Sequence, residues 1–183
     1  MSLASVLNLD AAVLAFAAAH RSEILDQLFR GMTRLGSLYV LIPTGLALVG
    51  LLAHRQNRFE ALLLGMGLGG AALMAHTIKW VLARPRPELY PLLIELPVSD
   101  SFPSAHVAQA SAFFLCLTFI VRRLAPEWAW AFACTALVAV TGVAFSRIYL
   151  QVHFPSDALG GLGLALLWVG AIYRLLLRRE RRG

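Results

Sequence analysis

Acids are scarce in this 183-residue chain, with 10 Asp and Glu against 16 Lys and Arg, and charge of either sign makes up only 14% of it. A soluble domain carries roughly 25% charged residues, so that class is excluded. Cysteine is nearly missing: Cys116 and Cys134 stand alone, with no Cys-x-x-Cys or Cys/His spacing, which argues against a zinc site or a disulfide framework. Both read as packing residues inside apolar stretches. No repeat, linker or low-complexity segment divides the chain, so residues 1–183 read as one domain, with an N-terminal region 1–35 and a core 36–178. No basic segment precedes the first apolar stretch, so a cleaved signal peptide is not expected.

Hydrocarbon is what the chain has in excess. It is 59% hydrophobic with a mean hydropathy of +0.72. Uncharged runs at 36–53, 61–78, 104–121, 128–146 and 158–173 are long enough to cross the membrane, whose apolar core is about 30 Å thick. The expected fold is therefore all-α, a polytopic transmembrane helix bundle of five spans, with a sixth left open at the N-terminus. There Asn8, Asp10, His20 and Arg21 interrupt the apolar character and leave only Ala11 to Ala19 free of polar groups. Ile24, Leu25, Leu28, Phe29 and Met32 lie opposite Glu23, Asp26, Gln27 and Arg30, the pattern of an amphipathic helix at the membrane interface. Two interfacial helices are expected in this region.

Basic residues collect at Arg55 and Arg58, at Arg122 and Arg123, and at Arg174, Arg178, Arg179, Arg181 and Arg182. By the positive-inside rule these segments face the cytoplasm, and five alternating spans do put them on one side. The C-terminus is then cytoplasmic in a multi-pass plasma (inner) membrane protein. The net charge of +6 is a topology and lipid-surface signal, since no nucleic-acid-binding module accompanies it.

With the tail inside, every unusual polar cluster falls at an outer span end. The run Lys79 to Pro87 follows the second span, Pro103-Ser104-Ala105-His106 opens the third, and Ser146 to Asp157 joins the last two. A charge near bilayer depth costs several kcal/mol by some scales and is a functional hypothesis by default. Lys79, Arg84, Arg86 and Arg147 face few acids beyond Asp157, so the pocket suits a compact anion. Phosphate is the natural candidate, because a guanidinium fork matches its oxygens and lysine adds a point charge. Pro103 before Ser104 fits a helix start, whose free N–H groups also favour an anion. His106 and His153 add chemistry: one can attack phosphorus while the other moves a proton. His153 and Asp157 are four apart and share a helical face, so the carboxylate can hold one ring nitrogen. Side chains supply the positive charge, so neither a metal nor another cofactor is expected.

Lys79-x6-Arg86-Pro87, Pro103-Ser104-x-His106 and Ser146-Arg147-x5-His153-x3-Asp157 resemble, in order and spacing, the three signature motifs of the type-2 phosphatidic acid phosphatase superfamily, the membrane lipid phosphate phosphatases. The resemblance covers about half the chain. It implies that Lys79, Arg86, Ser104 and Arg147 bind the phosphoryl group, that His106 is the acid, and that His153 forms a phosphohistidine supported by Asp157. It also implies a metal-independent enzyme with an all-helical core. Ala105 departs from the pattern, which usually has glycine there, and a modest effect on rate is expected.

The expected activity is removal of phosphate from a lipid phosphate or diphosphate at the periplasmic or extracellular face. Candidate substrates are undecaprenyl diphosphate, a phospholipid phosphate and a lipid A phosphate. A lipid-to-lipid phosphotransferase uses the same residues, and a non-enzymatic lipid or phosphate transporter remains a third reading. Membrane lipids are the expected partners, and the oligomeric state stays open.

Arg84 lies outside the motif and reads as an interfacial anchor or a headgroup contact. The apolar segment 88–102, with Leu92, Leu93 and Ile94, is either a substrate guide on the leaflet or a packed cap. His76 reads as a histidine bonded to a neighbour, His20 and His54 as interfacial, and Trp80, Trp128 and Trp130 as interface anchors. Gly65, Gly69 and Gly70 suggest close helix packing within the monomer.

Overall fold

The computed structural model describes residues 3–96 and 98–182. Its regular elements are helices: α1 (Leu3–Ala19), α2 (Glu23–Met32), α3 (Leu38–His54), α4 (Arg58–Leu82), α5 (Ala105–Leu124), α6 (Ala129–Tyr149) and α7 (Pro155–Glu180). One-turn 3-10 segments, Thr33–Gly36 and Pro126–Trp128, precede α3 and α6. Local chemistry explains the boundaries. Ser22 and Ser37 cap α2 and α3 by accepting from the backbone N–H groups of Leu25 and Tyr39. α4 stops where Ala83 turns left-handed, at φ 44°, and α7 starts with Pro155 in its first turn and Asp157 close behind.

Helices α4 to α7 are each long and apolar enough to cross a membrane. Glu23–Gly36 and Leu38–His54, bent by 44° at the break between them, are long and apolar enough only as a pair, which brings the count to five if the pair crosses as one broken span. The five expected spans are thus all helical, with bounds shifted by a few residues. Packing is tightest among α3, α4, α5 and α7, where Leu41, Leu64 and Leu68 meet Phe113, Cys116 and Val169. α6 joins through Val143, against Val107 and Ala158. Outward-facing side chains such as Leu46, Leu73, Leu137 and Leu167 are exposed on the bundle, as expected of helices whose outer solvent is lipid.

The N-terminal region departs from two surface helices. α2 fits that reading: Leu25 and Phe29 pack on Tyr149, Leu150 and Val152, Asp26 accepts from the Tyr149 hydroxyl at 2.6 Å, and Glu23, Gln27 and Arg30 are exposed. α1 does not, because it buries Asp10 and Leu14 against the bundle while Leu7, Leu9 and Phe16 face outward. Gln151 Nε2 donates to Leu14 O at 3.0 Å, so α1 is fastened to the turn between α6 and α7. The physical reason is the polar cargo of α1: an isolated carboxylate in an apolar helix must find partners.

Two further expectations change. Close approach in α4 occurs at Gly70, as expected, against the Trp168 ring, and also at Gly67, against Cys116, while Gly65 meets only Val49 Cγ2 at 3.9 Å and Gly69 has open space beside it. Cys116 is buried packing as expected, whereas Cys134 is exposed on α6. At the basic end of the bundle Arg123 bonds Glu60 at 2.8 Å and Glu180 at 2.7 Å and lies 4.0 Å over the Phe59 ring. That cluster ties α4, α5 and α7 together at the end opposite the motifs.

Gly36 is where the bend touches the site. A Cβ there would lie 2.7 Å from His106 O and 2.8 Å from Val143 Cγ1, so the turn can approach α5 and α6 only without a side chain. Gly36→Ala is expected to lower stability by about 1–3 kcal/mol, the usual cost of overpacking, seen as a lower Tm in thermal unfolding. An unchanged Tm would count against this close contact.

Candidate active site

Lys79, Arg86, His106, Arg147 and His153 line one cavity of about 210 Å³, together with Ser37, Tyr39, His76 and Gln109. Three helices and two loops supply Lys79, Arg86, His106, Arg147 and His153. Lys79 comes from the last turn of α4, His106 from the first turn of α5, Arg147 from the last turn of α6, and His153 from the loop entering α7. The motif order therefore becomes a ring because alternate helices present their ends to the same side.

The cations are deeply set, with Lys79 at 3% and Arg147 at 1% exposure. Among the described residues neither forms an ion pair, nor does Arg86. They are held by neutral acceptors instead. Lys79 donates to the carbonyls of Asp100 and Ser101. Arg86 Nε donates to Ser99 O at 2.7 Å and Nη1 to Val152 O at 2.6 Å. Arg147 Nη1 donates to Thr33 Oγ1 at 2.7 Å, while its Nε has no partner. Buried cations supplied with carbonyl and hydroxyl partners but no countercharge form a strong anion site.

His153 sits between two opposed groups. Its Nδ1 faces Asp157 Oδ2 at 3.3 Å, and Arg86 Nη1 lies 3.2 Å from Nε2. An arginine can only donate, so Nε2 must present its lone pair and the ring proton must sit on Nδ1, toward the carboxylate. Asp157 is itself fixed by several donors: Phe154 N at 2.9 Å and Ser101 Oγ at 2.5 Å on Oδ2, and Arg84 Nη1 at 2.7 Å on Oδ1. Burial, followed by the nearby positive charges, outweighs the bond to Asp157 and holds the His153 imidazole down at about 3.

The remaining expected residues divide. Ser104 is at the start of α5 with its Oγ buried and unpartnered, and its N–H donates to Asp157 O at 2.9 Å; it does not line the cavity. Arg84 does not line the cavity, and its two terminal nitrogens bond Asp157, Ser156 and Asp10. Leu93 and Ile94 pack onto Tyr149, Leu150 and Val152, the arrangement expected of a packed cap. Arg21 Nη2 pins that loop by donating to Pro91 O at 2.7 Å. Leu92 is left exposed on the loop. His76 does bond a neighbour, with Nδ1 2.8 Å from Ala72 O, and also borders the cavity.

Sequence reasoning missed Thr33, Gln109, Ser101 and Asp10. The Gln109 amide nitrogen, in the orientation that satisfies both ends of the side chain, reaches Gly36 O at 3.2 Å. Nothing local marks Thr33 or Gln109. Asp10 carried a usable signal, being a lone acid in an apolar stretch.

The fold and the ring of cations around a carboxylate-held histidine define an anion pocket at one end of a membrane helix bundle. The model of the PAP2 superfamily matches residues 60–181. The chain is 31% identical over 168 residues to phosphatidylglycerophosphatase B of Bacillus subtilis (strain 168), covering 89% of this chain and 81% of that protein. It is 30% identical over 155 residues to the undecaprenyl-diphosphatase BcrC of the same organism, covering 81% and 74%. A crystal structure of a transmembrane PAP2 type phosphatidylglycerolphosphate phosphatase from Bacillus subtilis superposes with a TM-score of 0.83 at 27% identity, covering 97% of this chain and 87% of that one. The chain belongs to the PAP2 superfamily.

The depressed pKa has a direct consequence. Because it is lowered, the neutral ring persists below the ordinary value of 6.5. In the substrate-free protein the ¹⁵N signals of His153, assigned by loss in His153→Ala, should remain those of a neutral Nδ1–H ring down to about pH 4. A titration step near the ordinary value would contradict this environment.

Proposed function

We propose that His153 Nε2 attacks the phosphorus of a lipid phosphate or diphosphate, forming a phosphohistidine that water then hydrolyses. The coarser statement, that this membrane protein is a lipid phosphate phosphatase, follows from its family and from relatives of that activity. The observation that carries the finer reading is the set of buried cations without acid partners around a histidine whose far nitrogen faces a carboxylate. Phosphoryl transfer demands mainly positioning and stabilisation of charge on the equatorial oxygens. Lys79, Arg86 and Arg147 supply that charge, and the start of α5 at Ser104 adds its positive end.

A phosphoryl oxygen that accepts the Arg86 Nη1 proton replaces Nε2 as that donor's partner and brings phosphorus to the freed lone pair. As the N–P bond forms, Asp157 stabilises the positive imidazole through Nδ1–H. His106, across the same cavity, gains a proton as the anionic substrate enters and offsets the surrounding cations, and gives it to the departing lipid oxygen or lipid phosphate. It then takes a proton from the water that releases inorganic phosphate from His153.

The lipid chain has a path out. A second cavity of about 220 Å³ between α3 and α4 is almost wholly apolar, lined by Ile42, Leu46, Val49 and Leu68 with Gly65 and Gly69, and it shares Leu38 with the phosphoryl cavity. Ile42 and Leu46 are exposed on the bundle surface, so the groove opens sideways to lipid. The open space at Gly69 thereby gains a use. Arg55, Arg58, Arg122 and Arg123 lie at the other end of the spans, which supports a site facing the periplasm or exterior with the C-terminus in the cytoplasm. Undecaprenyl diphosphate and phosphorylated phospholipids both suit an apolar groove joined to an anion pocket.

Phosphate release by the purified protein in chelator should fall to background in His153→Ala. It should drop by about 10²–10⁴-fold in His106→Ala, with a similar loss in Asp157→Asn. Full activity in His153→Ala would overturn the mechanism. Gly69→Leu fills the groove from a position with free space, so it should raise KM for a long-chain lipid phosphate about tenfold and leave a short soluble phosphate ester unaffected. Equal effects on both would remove the groove from the reading.

A further inference from the structure

Asp10 is an acid that this mechanism leaves unused. It lies in α1, outside residues 60–181 that the superfamily model matches, and is only 2% exposed in a helix composed mostly of alanine, leucine and valine. A carboxylate in such a place is strongly disfavoured unless its oxygens are satisfied. Here both are. Oδ1 accepts from Ser156 N at 2.9 Å, and Oδ2 accepts from Ser156 Oγ at 2.5 Å and from Arg84 Nη2 at 3.1 Å.

Arg84 passes the connection on. Its other terminal nitrogen donates to Asp157 Oδ1 at 2.7 Å and to Ser156 Oγ at 2.8 Å, and its guanidinium lies 4.4 Å over the Phe154 ring. The guanidinium therefore bridges two carboxylates while its plane rests on an aromatic face. Asp157 in turn faces His153 Nδ1 through its second oxygen. The result is a chain of contacts, Asp10 to Arg84 to Asp157 to His153, that starts in one helix and ends on the nucleophile.

We propose that Asp10 is a positioning residue for phosphoryl transfer, acting through Arg84 to keep the Asp157 carboxylate aimed at His153; this rests on the phosphatase reading above. Without Asp10, Arg84 loses the partner that holds one of its nitrogens away from Asp157. It is then free to engage Asp157 through both nitrogens, and the carboxylate turns from Nδ1–H toward the arginine. Arg84 does not line the phosphoryl cavity, so substrate binding is spared while the chemical step slows.

A double-mutant cycle in the full-length protein separates this from simple anchoring of α1. Asp10→Asn keeps the size and the acceptor for Ser156 N. It should lower kcat for a lipid phosphate about tenfold, a size typical of coupling within one hydrogen-bonded network, with KM within about twofold. Arg84→Gln should do the same, and the double variant should be no slower than Arg84→Gln alone. Additive losses, a rise in KM with kcat intact, or full activity of Asp10→Asn would each overturn the proposal. If Asp10→Asn does not fold, Arg84→Gln alone decides, since unchanged kcat there breaks the chain at its middle. Wild-type turnover that survives His153→Ala would defeat the phosphatase mechanism, an outcome distinct from any of these.

Discussion

Three cations, Lys79, Arg86 and Arg147, are gathered at one end of a helical bundle with no carboxylate paired to any of them among the described residues. Removing a cation from water costs several kcal/mol even after relaxation, and the other parts of this end of the molecule are arranged around that cost. Main-chain carbonyls of residues 99–101 and 152 and the Thr33 hydroxyl take some of the N–H donors. Neutral acceptors orient the side chains without cancelling their charge. A carboxylate in the same positions would hold them as firmly and abolish the field that an anionic substrate must meet.

The acid beside the histidine, Asp157, is held on the side of the ring that carries Nδ1. Asp157 is fully buried, yet its partners are His153 Nδ1, a backbone N–H, the Ser101 hydroxyl and Arg84. Arg84 thus absorbs the acid's charge on the side away from the cavity, while Lys79, Arg86 and Arg147 stay unneutralised on the side that faces it. This segregation lets one small region hold four basic side chains with opposite duties. Three leave their charge facing the cavity, and one meets the protein's own.

Legibility in the sequence followed the range of the physics. Each span is a continuous run of apolar residues, so its existence could be read locally, and α4 to α7 fall where the runs do. The spacing between His153 and Asp157 is likewise a property of one helical turn, and the pairing could be stated before any fold was known. Arg84 could not be placed, because its partners lie 73 and 74 residues away and no local pattern separates an arginine that anchors at a membrane interface from one that bridges buried acids. The loop holding Leu93 and Ile94 was legible as apolar, but a guide and a cap could not be told apart, since what it packs on is formed by α2 and the end of α6. Gly65 and Gly69 show the same limit: small residues at helical spacing permit either a close neighbour or a groove, and only the position of α3 decides.

Asp10 joins these strands. Composition made the N-terminal helix look like a surface element because polar residues interrupted it, and a polar interruption does exclude an ordinary lipid-facing helix. It does not exclude a helix whose polar residue is its point of attachment. Ser156 lies in the first turn of α7, where backbone N–H groups lack helical acceptors, and a carboxylate arriving from another helix satisfies one of them. The same contact that satisfies the end of α7 also holds Arg84, and Arg84 holds the acid beside His153. A helix outside the signature motifs is thereby coupled to His153 through bonds of 3.3 Å or less. The burial of one carboxylate, which the bilayer would otherwise forbid, is what makes that coupling obligatory.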